Sequence, residues 1–108
     1  MAQNFRRYTS NDVGTSAATL FTADSYDTVV GISLANVTAS AINVSVYIND
    51  GANDIYLVKD APIPQGSQLQ VLDGGAKYVV QTGDALKVVS DTASSVDVWV
   101  STVDAIST

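Results

Sequence analysis

Apolar and polar positions alternate along most of this chain with a period of two, the spacing of a pleated strand with one buried face. In "AINVSVYIN", Ile42, Val44, Val46 and Ile48 point one way, while Asn43, Ser45, Tyr47 and Asn49 point the other. "TVVGISLAN" puts Val30, Ile32 and Leu34 on one face, and "SVDVWVS" sets Val96, Val98 and Val100 against Asp97, Trp99 and Ser101. "ALKVV" opposes Leu86 and Val88 to Lys87 and Val89, and weaker runs lie in "TSAATLFTA", "DIYLVK", "SQLQVL" and "AKYVVQ". That makes about eight strands at roughly ten-residue spacing, with no stretch of helical period. The pattern predicts an all-β chain folded as a single antiparallel β-sandwich. Jelly-roll and immunoglobulin-like strand orders share these local signals.

Between the runs sit "ADSYD", "NVTAS", "NDGAND", "DAPIPQGS", "DGG", "TGD" and "SDTASS", each built from residues that favour turns by left-handed backbone or side-chain capping. On this reading Asp73 and Asp84 are punctuation in two meander turns, and Pro62 and Pro64 fall at a strand edge or crossover, where a missing N–H does no harm. The sandwich is expected over residues 12–108, with residues 1–11 as an extended N-terminal arm outside it.

Composition narrows the chemistry. The 108 residues include 11 acidic and 5 basic side chains, for a net charge of −6, with no histidine and no cysteine. Every acidic residue is aspartate. An acidic chain lacks the basic footprint of a nucleic-acid binder. No run approaches the ~20 apolar residues of a membrane-spanning helix, and "MAQNFRRYTSNDVGTS" has no apolar core of a secretory signal. Without histidine or cysteine the usual general base and the usual triads are missing, and no "GxSxG" elbow is present. The chain is therefore expected not to be an enzyme and to need no cofactor.

Three features could still carry a function. "NDGAND" gathers Asn49, Asp50, Asn53 and Asp54, hard oxygen donors of the type calcium takes, though their spacing is not that of an EF-hand and a hairpin loop explains them as well. Tyr47, Tyr56 and Trp99 are candidate aromatic contacts, suited either to a neighbouring subunit or to a glycan. Arg6 and Arg7 are the only arginines; flanked by Phe5 and Tyr8, they could meet carboxylates of a neighbour. Phe5, Arg6, Arg7, Tyr8, Tyr47, Tyr56 and Trp99 are thus the candidate partner-contact residues.

The order of "VVGISLANVTASAINVSVYIND", "YLVKDAPIPQGSQL", "GDALKV" and "SDTASSVDVWVS" resembles a family of small virion structural proteins of tailed bacteriophages, cyanophage types among them. The likeness spans about residues 13–103. It implies a part of a virion, made in the host cytoplasm, and carries over no catalytic or ligand residue. A head decoration (cement) protein is the first expectation, bound to the major capsid protein or neighbouring virion subunits as a homo-oligomer, with a trimer as the guess. Neck, tail or fibre-associated parts come next, and a glycan-binding host-attachment module after them.

Overall fold

Valine- and isoleucine-rich alternation becomes strand wherever one face can be buried, and here two sheets bury their inner faces against each other. The computed structural model describes residues 4–23, 27–71 and 78–104. Its strands are β1 (Asn4–Val13), β2 (Ala18–Thr22), β3 (Asp27–Asn36), β4 (Ile42–Asn49), β5 (Asp54–Ile63), β6 (Gln68–Gln70), β7 (Tyr78–Val80), β8 (Ala85–Ser90) and β9 (Val96–Asp104). All pairings are antiparallel. One sheet has five strands in the order β1-β9-β3-β6, with β7 also on β3; the other has four in the order β2-β8-β4-β5. The chain is an all-β sandwich, as the alternation predicts.

The strand order decides between the two expected architectures. β6 pairs with Ser33–Ala35 of β3, and β7 with Asp27–Val29 of the same strand, so the two lie end to end as halves of one edge. Counted as one strand, they leave eight strands that pass from sheet to sheet in jelly-roll order, with β4–β5 the only hairpin within a sheet among the described residues. The two expected meander turns are corrected by this. β6 and β7 do not pair with each other, and "TGD" carries the chain from one sheet to the other. "DGG", with Asp73, lies outside the described residues.

Residues 1–11 were expected outside the domain, but Asn4–Val13 is an edge strand of the larger sheet. Its partners run from Asn4 opposite Asp104 to Val13 opposite Val96. Uncovered, β9 would present a row of open backbone groups, and this strand covers it. Alternation is weak here because the inward face of this edge strand is itself only partly buried, with Arg6 exposed and Tyr8 and Ser10 half-buried.

The core is aliphatic: Ile32, Leu34, Val44, Val46, Ile63, Val88, Val96 and Val100 are fully buried between the sheets, with Leu86 beside them. Burying each such side chain contributes roughly 1.5–3 kcal/mol. On β3, Ile32 and Leu34 face inward as expected, but before them the phase shifts by one residue: Val29 is buried and Val30 is not. A bulge between Val29 and Gly31 inserts the extra residue and flips Val30 outward. A second bulge opposite Ser45 holds Asp60 at φ 51°, where its N–H donates to Ser45 Oγ at 2.9 Å.

Candidate functional site

β9 runs second from the edge of the five-stranded sheet, and its outward residues Asp97, Trp99 and Ser101 form the centre of an exposed face. Cross-strand register builds three rows there: Arg7, Ser101 and Gly31; then Thr9, Trp99, Ser33 and Gln70; then Asp97, Ala35 and Gln68. The outward positions of β3 are small (Gly31, Ser33 and Ala35), so they leave a low floor around the indole. Trp99 is 53% exposed.

The floor opens into two hollows with Trp99 as the wall between them. One, of about 470 Å³, is lined by Thr9, Ser10, Asn11, Ser33, Ala35, Asp97, Val98 and Trp99. The other, of about 320 Å³, takes Phe5, Arg6, Arg7, Val30, Ser101 and Thr102 with the same Trp99. The Arg7 guanidinium carbon lies 5.4 Å from the indole centroid, a cation–π contact on the side of the smaller hollow. At the far end Asp97 Oδ1 accepts from the Asp12 N–H at 3.2 Å, where Asp12 sits at φ 55° in a bulge of β1. Ser33 Oγ donates to Gln68 Oε1 at 3.0 Å. The face is therefore basic at one end and acidic at the other, with a large aromatic in the middle.

Of the candidate contact residues, Phe5, Arg6, Arg7 and Trp99 come together here, and Phe5 is 84% exposed. Tyr8 does not join them. It points inward and stacks on Phe21 with ring centroids 4.5 Å apart, packed against the core, so its ring serves the fold.

Tyr47 and Tyr56 stand on the outer face of the other sheet, so they share no platform with Trp99. They face each other across β4 and β5 with centroids 5.0 Å apart. Lys59 Nζ lies 5.0 Å from the Tyr56 ring. Tyr47 is only 9% exposed, whereas Tyr56 is 43% exposed and Ile55 beside it 52%. Burial, then the charge of Asp54 and the neighbouring Tyr56, hold the Tyr47 hydroxyl above the usual tyrosine value.

The "NDGAND" oxygens serve the turn. Asp50 Oδ1 accepts from the N–H of Asn53 at 2.8 Å and of Ala52 at 3.0 Å, and Asn49 Oδ1 accepts from Gly51 N–H at 2.9 Å. Asn49 Nδ2 donates to Asp54 Oδ1 at 2.7 Å. Those backbone bonds hold the Asp50 carboxyl below the usual aspartate value. Among the described residues no group of three or more histidine, cysteine, aspartate or glutamate side chains is placed to hold a metal. Asp84 likewise caps its turn, accepting from Gln81 N–H at 2.9 Å.

The hollows were not foreseen from sequence. Their signal is the run of small residues at alternate positions 31, 33 and 35, which an analysis of apolar periodicity passes over. No protein-family model, curated protein or solved structure matches this chain.

Proposed function

We propose that this protein is a structural subunit of a phage particle, most directly a head decoration protein that bridges shell subunits and acts by contact rather than by catalysis. The observation that supports it is the presence of exposed aromatic and apolar side chains on both outer faces of one small sandwich. Phe5 and Trp99 stand on one outer face, Tyr56 on the other. A bridge needs two contact surfaces, and large apolar groups with arginine are the residue types that carry interface energy. The jelly roll is an architecture used by viral capsid domains, and also by lectins, so it favours a virion role by analogy only. The resemblance in sequence supplies the phage.

The test is the copy number of the protein in purified virions, by quantitative mass spectrometry against the major capsid protein. A number comparable to the capsid protein's supports the head lattice. A number of the order of a ring or fibre set moves the protein to the neck or tail, and absence from virions overturns the proposal. Added to bare heads, it should bind saturably and raise their resistance to heating.

Glycan binding is the second reading, favoured by Trp99 beside Asn11, Asp97 and Ser33 in the larger hollow. No retention on host envelope polysaccharide would eliminate it.

A further inference from the structure

We infer that the outward face of the five-stranded sheet pairs with the same face of a second copy of this chain across a two-fold axis. The contact deepens the bridging reading, but it rests on the geometry of this face alone.

Self-complementarity is the argument. A closed two-fold contact brings one patch against itself, so whatever the patch presents at one end it must accept at the other. Along the strand direction this face runs from the Arg7 row, through the Trp99 row, to the row of Asp97 with Asn11 beside it. A two-fold axis in the plane of the face, along the Trp99 row, reverses that order. Arg7 of each copy then comes over Asn11 and Asp97 of the other. Attraction operates twice, once at each end, on a chain whose net charge of −6 would otherwise keep copies apart.

Shape agrees with charge. Near such an axis the two indoles stand side by side, each leaning toward its own Arg7 and so into the other copy's larger hollow, which the axis places opposite. That hollow, about 470 Å³, is wider than an indole, and Ser33 and Ala35 keep its floor low. The indole half-exposed in one copy becomes the central anchor of the pair, the position where binding energy concentrates. Such a pair has two-fold symmetry in place of the trimer expected from sequence, and it leaves the outer face that carries Tyr56 free to meet another partner.

Trp99 is the only tryptophan, so intrinsic fluorescence reads this face directly. The experiment combines sedimentation of the full chain with emission spectra from about 100 μM down to about 0.1 μM, a range that brackets weak protein contacts. Expected are a mass of two chains at the upper end and an emission maximum that moves to the red on dilution. Arg7→Glu should weaken the pair at least about tenfold, and Arg7→Glu with Asp97→Arg should recover it. Ala35→Lys fills the hollow from an outward position and should give a monomer. Circular-dichroism melts of each variant separate loss of pairing from loss of fold.

A monomer with constant emission at all concentrations overturns the inference, as does a dimer indifferent to Arg7→Glu and Ala35→Lys. An emission shift on adding host envelope oligosaccharide to a monomer assigns the face to sugar and overturns it too. A monomer that still binds phage heads sinks the pair and spares the bridging role. A dimer in solution from a protein absent from virions does the reverse.

Discussion

Asn36 sits at the end of β3, buried, with both ends of its amide engaged. Its Nδ2 donates to the carbonyls of Ser40 at 2.8 Å, Ile63 at 3.0 Å and Pro64 at 3.3 Å. Its Oδ1 accepts from the Thr38 N–H at 2.8 Å and hydroxyl at 2.7 Å. One side chain thus ties the loop after β3 to the end of β5, a strand of the other sheet. Asn36→Ala should lower the unfolding free energy by about 2–4 kcal/mol in a urea titration, because one buried and four partly buried hydrogen bonds are lost together. At the surface, Asp50 and Asp91 are held below the usual aspartate value. For Asp91 the causes are the backbone N–H of Asn43 and then the Thr92 hydroxyl. With folded values depressed, their contribution is in place above the unfolded aspartate value of ~4 and is lost as pH falls through the folded ones. Carboxyl NMR titration should show both ionising at lower pH than a peptide aspartate; equal values would contradict the turn geometry.

At the scale of elements, β1 changes what a truncation does. An arm outside the domain could be removed with the fold intact. As an edge strand, β1 covers β9 and supplies Tyr8 to the stack on Phe21. Deleting residues 2–8 should therefore lower the melting temperature measurably, as well as weaken any contact made by Arg7; an unchanged melt would return β1 to the status of an arm. The turn after β1 is equally committed. Ser90 N–H donates to the Gly14 carbonyl at 2.9 Å, and a Cβ on Gly14 would meet Ser94 N at 3.2 Å and Ala93 Cα at 3.3 Å. Those are backbone atoms and cannot rotate aside, so Gly14→Ala should cost about 1–3 kcal/mol in denaturant. Strands with both apolar and polar faces, such as β4 and β9, were legible from sequence. β1 was not, since at a sheet edge the polar residues Arg6, Thr9 and Ser10 occupy strand positions that alternation alone would assign to coil.

At the scale of the molecule, the first strand is hydrogen-bonded to the last, and most neighbours in each sheet are distant in sequence. Closing such loops precedes the contacts that stabilise them, so folding followed by stopped-flow circular dichroism should fall in the millisecond-to-second range of all-β domains. A microsecond phase carrying the full amplitude would contradict this topology.

The sequence alone determined the fold class, the aliphatic inner faces of β4, β8 and β9 and the turn roles of Asp50 and Asp84, because these depend on period-two patterning and local capping, both short-range. It could not determine which strands are neighbours, since hydrogen-bonded ladders look alike whichever strand supplies them. Tertiary structure alone set the strand order, turned Val30 outward through a bulge and packed Tyr8 against the core. It also separated Tyr47 from Trp99 onto opposite faces and lined up Arg7, Trp99 and Asp97 on one. Each of these joins residues tens of positions apart, and only the packing of one sheet on the other fixes where they meet.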